Sequence, residues 1–207
     1  MTKIIELSQA LNAKLCHDLA GAIGTVDNCL SLIDNKNQDI GKQAKDLAIE
    51  ESANLVNRIK FFRTAYGISE GETKMSLVNL SKLLQDFFLD TKIEFSLDYD
   101  PGVLYIDSIV AKTTICLAVI AGDSAIFGGK LIITVPIKDE DPILIKCSGK
   151  NIIVKDNNLN VLNGVKDISV TVQNCREHYI NTLCVHANYE LEIDKSDATL
   201  EFKLNKK

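Results

Sequence analysis

No proline occurs in the first hundred residues; the chain's three prolines are Pro101, Pro136 and Pro142. Glycine in that stretch is confined to Gly21, Gly24, Gly41, Gly67 and Gly71. A proline inside a helix costs about 3 kcal/mol, so a stretch without one, carrying apolar residues at helical spacing, is free to form long helices. The pattern predicts helices over residues 3–34 and 42–67. Asn35-Lys36-Asn37-Gln38-Asp39 forms the turn between them, and Gly67 closes the second. Two long helices joined by a short turn make an antiparallel hairpin.

Beyond Gly71 the texture changes. A third helix is expected over 77–89, an alternating strand over 93–99, and a helix over 108–127 that stops at Gly128-Gly129. Strand-like runs follow at 131–137, 143–147 and 152–155, then a helix at 172–186 and strands at 189–193 and 199–204. A helical start followed by interleaved strands and helices predicts an α+β chain, divided into a hairpin unit (1–70) and a layered unit (76–207).

With 46% hydrophobic and 25% charged residues, the chain has enough apolar content to fold. Its longest apolar runs, 115–121 and 131–137, are too short to span a bilayer. A net charge of −5 argues against nucleic-acid or anionic-membrane binding. The polar, amphipathic start is no secretory signal, and the six cysteines form no CxxC pair, so reduced thiols and a cytoplasmic location are expected.

On the first helix Ile4, Leu7, Leu11, Leu15, Leu19, Ala22, Val26, Leu30 and Ile33 recur every three or four residues and form one apolar seam. At about 100° per residue, His17 lies roughly 200° from the centre of that seam and faces outward. Its own face carries Ala10, Ala13, Ala20, Gly21, Gly24 and Asn28, with Lys14 beside it. A solvated helix face is normally rich in Lys and Glu, and glycine in a helix interior costs about 1 kcal/mol relative to alanine. A face this bare suits the close approach of another molecule, unless another part of the same chain covers it. The second helix also has an apolar seam, through Leu47, Leu55, Ile59, Phe62 and Tyr66. One hairpin cannot bury both seams, so a two-fold homodimer forming a four-helix bundle is the expected closure. Counting back from the turn sets His17 level with about residue 55, which brings Glu51, Asn54 and Arg58 near the imidazole.

Leu15-Cys16-His17-Asp18-Leu19, followed by Gly24 and Asn28, resembles the phosphorylation box of histidine kinases. Together with Arg58-Ile-Lys-Phe-Phe-Arg-Thr-Ala-Tyr-Gly67 and the order of elements, it is most similar to the ChpT-type histidine phosphotransferases. One departure is Ala22, where kinase boxes usually carry proline.

The resemblance implies that His17 is phosphorylated and that Asp18 holds the ring or takes its proton. Ala13, Lys14, Ala20, Gly21, Gly24, Asn28 and Arg58 would meet the partner. It further implies a hybrid histidine kinase's receiver as donor, response regulators of the CtrA-like or CpdR-like kind as acceptors, and Mg²⁺ supplied by the receiver, with no cofactor on this chain. Kinases with phosphatase activity usually carry Thr or Asn four residues after the histidine. Here Gly21 occupies that place, so little hydrolysis of phospho-receiver is expected.

If the second unit resembles a kinase ATPase domain, its motifs are degraded. Counting back from Gly128-Gly129, Ile120 falls where a Mg²⁺-binding Asn belongs and Asp123 where a Lys belongs. The chain contains no GxG. An aliphatic and a carboxylate at those places predict a unit that binds no nucleotide and serves instead to extend the receiver-binding surface. Two alternatives stand beside this reading: a catalytic kinase core, and a scaffold that binds receivers without taking phosphate. Cys175, His178, Cys184 and His186 match no common zinc spacing and sit in an expected helix, so no metal site is assigned to them.

Overall fold

The computed structural model describes residues 2–68, 71, 73–138 and 140–207. The chain opens with α1 (Thr2–Leu32) and α2 (Gln38–Tyr66), an antiparallel pair. The turn is held by its asparagines: Asn35 Oδ1 accepts from Asn37 N–H, and Asn37 Oδ1 caps α2 by accepting from Asp39 N–H, both at 3.0 Å. The two helices approach through small residues. Gly41, Ala44, Ala48 and Cys29 are buried, and a Cβ on Gly41 would collide with the Ile33 carbonyl. The boundary drawn at residue 70 lies outside the described residues.

The rest of the chain runs β1 (Lys74–Ser76), α3 (Leu77–Phe88), β2 (Ile93–Tyr99), β3 (Tyr105–Asp107), α4 (Ser108–Ser124), β4 (Gly129–Val135), β5 (Ile143–Gly149), α5 (Asp156–Leu162), α6 (Cys175–Ala187), β6 (Tyr189–Lys195) and β7 (Thr199–Lys206). The main sheet has the order β2-β4-β5-β7-β6; β2 and β4 are parallel and the other pairs antiparallel. Its register lines up Phe95, Leu131, Cys147 and Leu200 across four strands, with Ile133, Ile145 and Phe202 in a second row. A short antiparallel ladder of β1 and β3 stands apart. The expected class, α+β with a helical hairpin first, is the class observed.

α3, α4 and α6 pack against the sheet. α4 is apolar nearly all round because it is buried nearly all round; only Ile109 and Asp123 escape. Gly122 lets Phe88 lie close, since a Cβ there would come within 2.7 Å of the ring. The sheet domain also grips the hairpin. Phe61 and Ala65 of α2 are fully buried, Phe61 stacks on Phe87 with ring centroids 4.1 Å apart, and Tyr179 Oη donates to the Ala65 carbonyl at 3.1 Å. Lys112, buried in α4, donates from Nζ to the Gly67 carbonyl at 2.6 Å. Burial pulls its pKa down, and the carbonyl at the end of α2 gives the ammonium its partner.

Several expectations need correcting: α2 begins at Gln38, inside the expected turn, rather than at 42, and α4 ends at Ser124 rather than 127. Residues 152–155 form no strand. Ile152 N–H donates to the Asp197 carbonyl and Ile153 N–H to the Ser124 carbonyl, both at 2.9 Å, so the segment is tied to a turn and to the end of α4 instead of extending the β5 ladder. α6 begins at Cys175 rather than 172, because Asn174 closes a turn: its Oδ1 accepts from Thr171 N–H at 2.7 Å and its Nδ2 donates to the Ser169 carbonyl at 3.0 Å. As expected of a single hairpin, the seam on α1 is not buried within one chain. Leu7, Leu11, Leu15, Leu19, Ala22, Val26 and Ile33 are half-covered, while Ile4 and Leu30 stay exposed.

Candidate functional site

His17 stands on the fifth turn of α1 with its side chain 83% exposed. Its Nδ1 lies 3.4 Å from Asp18 Oδ1. That contact sets Nδ1 beside the carboxylate; with the proton on Nδ1 the ring donates to Asp18, and Nε2 keeps its lone pair. Asp18 Oδ1 also accepts from Lys14 Nζ at 2.9 Å, one helical turn away. The second oxygen, Oδ2, faces Arg176 Nη2 at 3.5 Å. Arg176 belongs to α6, and its Nη1 donates to Asp123 Oδ2 at the end of α4 at 2.7 Å. The four charges form a chain running from α1 into the sheet domain.

Asp18 and Arg176 are both largely covered, with side chains 16% and 17% exposed. Burial by itself pushes the Asp18 carboxyl up. The Lys14 hydrogen bond and charge, His17 and Arg176 together outweigh burial and hold it below the usual carboxylate range. It is therefore an anion at neutral pH, suited to orient an imidazole N–H.

Two clefts flank this cluster. One, of about 450 Å³, lies between α1, the end of α4 and the start of α6; His17, Lys14, Ile120, Asp123, Lys155 and Glu177 are among its walls. Glu177 is buried there. Its Oε1 accepts from Asn158 Nδ2 at 2.6 Å, its Oε2 has no partner among the described residues, and burial raises its pKa. The other cleft, of about 440 Å³, is bounded by Lys14, Asp18 and Arg176 together with Arg58, Phe62, Phe87 and Ile126.

Of the residues singled out in the sequence, the structure brings His17, Asp18 and Lys14 into one cluster and sets Arg58 on the wall of the adjoining cleft, which Asp18 also lines. A methyl placed on Gly21 or Gly24 would meet nothing within 4 Å, and Ala13, Ala20 and Asn28 are exposed. That half of the face is open. The exception is Ala10, which is buried, and Lys14 is half-covered where α1 meets the sheet domain. Ile120 is buried in α4, and Asp123 is engaged by Arg176. Cys175, His178, Cys184 and His186 are strung along α6, and no three His, Cys, Asp or Glu side chains gather as a metal site among the described residues.

Sequence reasoning missed Arg176. A signal was present: only Arg58, Arg63 and Arg176 are arginine among 23 basic Lys and Arg residues, and Arg176 alone lies outside the hairpin. The partners are invisible in sequence, being 53 and 158 positions away.

The fold as a whole has a counterpart among solved structures. A bacterial phosphotransferase superposes with a TM-score of 0.85 at 20% identity, over 97% of this chain and 96% of that one. The chain has a bacterial phosphotransferase's fold. The Acinetobacter baumannii histidine kinase AdeS aligns at a TM-score of 0.47 with 15% identity, over 91% of this chain and 95% of that one. The catalytic domain of histidine kinase ThkA aligns at 0.47 with 14% identity, over 65% and 96%. No family model and no curated protein sequence matches the chain. Among the described residues, no helix is long and apolar enough to cross a membrane.

Proposed function

We propose that this protein is a histidine phosphotransferase of a multi-step phosphorelay, working as a homodimer. His17 accepts a phosphoryl group from the receiver aspartate of a hybrid histidine kinase and passes it to the receiver aspartates of response regulators. The observation that carries the reading is the exposed imidazole with Nδ1 turned toward the Asp18 carboxylate and Nε2 free. In the forward step the Nε2 lone pair attacks phosphorus, the N–P bond forms, and the P–O bond to the receiver carboxylate breaks. The proton on Nδ1 stays on the ring, where Asp18 stabilises the cation that forms. Mg²⁺ belongs to the receiver in this scheme.

The open face through Ala13, Ala20, Gly21, Gly24 and Asn28 gives the receiver room to approach. The adjoining cleft, with Arg58 and Lys14 on its walls, offers cations to a phosphoryl group. Apolar side chains left exposed on the hairpin, among them Ile4, Ile23, Leu30, Ile49, Val56 and Ile59, support closure by a second copy into a four-helix bundle. Ile120 and Asp123, at positions where a kinase would hold metal and phosphate, support a sheet domain without ATP chemistry that widens the docking surface.

The test mixes the protein with a phosphorylated hybrid-kinase receiver and Mg²⁺. Acid-labile phosphate is expected on residue 17, and none on the His17→Gln variant. Receiver binding with no phosphate on the wild-type chain would make it a docking scaffold instead.

A further inference from the structure

We propose that Arg176 is a positioning residue for the phosphoacceptor: reaching from α6, it fixes the carboxylate that orients the His17 ring, so the sheet domain belongs to the transfer site of its own chain. This rests on the reading of His17 as the phosphorylated residue.

The two Asp18 oxygens are divided between different partners. Oδ1 is shared by Lys14 Nζ and His17 Nδ1, and Oδ2 is left to Arg176. Lys14 is a point charge on a flexible stem with rotatable donors, so it does not set the plane of the carboxylate. A guanidinium is rigid and planar, and this one is anchored at its other nitrogen by Asp123 at 2.7 Å. Pinned at one end, it defines where Oδ2 sits, and through the carboxylate plane it defines where Oδ1 meets the imidazole. The largely covered position of both side chains makes the link more than a loose surface pair.

Charge balance points the same way. Asp18 and Asp123 contribute two negative charges; Lys14 and Arg176 offset both. Removing Arg176 would leave a net negative cluster beside the nitrogen that must receive an anionic phosphoryl group. The contacts of His17 and Arg176 with Asp18 are long in the resting protein, as such contacts commonly are before a partner closes the site.

The full-length protein, with ¹⁵N-labelled histidine and no phosphate donor present, reports the ring directly by NMR. The wild-type His17 is expected to carry its proton on Nδ1. Arg176→Ala is expected to shift the tautomer toward Nε2–H and to slow phosphoryl transfer about tenfold or more. Arg176→Lys should recover part of each effect. Asp123→Asn, at an exposed position the fold tolerates, should shift the tautomer in the same direction by unhooking the anchor. Tyr179→Phe removes a different link between α6 and the hairpin and should change neither readout.

An unchanged tautomer in both Arg176→Ala and Asp123→Asn would overturn the proposal. So would a Tyr179→Phe variant that behaves like Arg176→Ala, since the effect would then be docking in general. The NMR readout needs no phosphate, so a wild-type chain that takes none would end the relay reading while leaving this result to stand or fall alone.

Discussion

The hairpin and the sheet domain solve the same burial problem to different extents. In the sheet domain Ile115, Leu131, Ile133, Ile145 and Phe202 are wholly buried, so one chain supplies a closed core. On the hairpin Ile4 remains 75% exposed and Ile49 61% exposed, and the helices touch each other mainly through small side chains. The difference is chemical in origin. A sheet with helices packed on it hides its apolar face within one chain, whereas two helices each present more apolar surface than the other can cover. The first region is built for stability, and the second leaves surface over for association.

The sharpest way to break this contrast is truncation in each region. Phe202→Ala should destabilise the chain by about 3–5 kcal/mol in denaturant unfolding, because the surrounding strands cannot collapse into the space. A loss under about 1 kcal/mol would show that the core is looser than its burial implies. Ile49→Asp, on the hairpin, should change single-chain stability by only about 0.5 kcal/mol. If the proposed homodimer forms through this face, it should nevertheless halve the mass seen by light scattering; an unaltered mass would remove this face from the proposed interface.

The smallest effect sits at the junction of the two regions. The Asp18 carboxyl is held low by its cationic neighbours, so in the folded chain it binds fewer protons than in the unfolded one. Its contribution to stability is present above the ordinary aspartate pKa of about 3.9 and is lost as pH falls through the lowered value. Asp18→Asn should therefore unfold at a lower temperature than the wild type near neutrality and converge with it in strong acid. A gap independent of pH would mean that the Lys14 and Arg176 contacts do not act through charge.

Much of this architecture is legible in the residues. Proline-free spacing gives α1 and α2, Asn37 and Ser76 cap helices as such residues do, and the unbroken apolar run in α4 marks a helix with no free face. The alternation in β2 and β7 marks strands with one covered side. Local pattern fails where tertiary bonds decide. Ile152 and Ile153 read as strand, yet their N–H groups are taken by Asp197 and Ser124. α5 is short and polar, so no periodicity announces it. His17 and Asp18 were readable because they are neighbours on one helix. Arg176 was not, because only the folding of α6 against α1 and α4 gives it something to hold.

α4 has a consequence that follows from its two ends. At 1.5 Å per residue, its 17 residues make a rod about 25 Å long. Near its start Lys112 seizes the last carbonyl of the descending helix; at its finish Asp123 reaches, through one guanidinium, the turn that bears the imidazole. The rod works as a brace across the open hairpin, so the two legs cannot splay without tearing one of its fastenings.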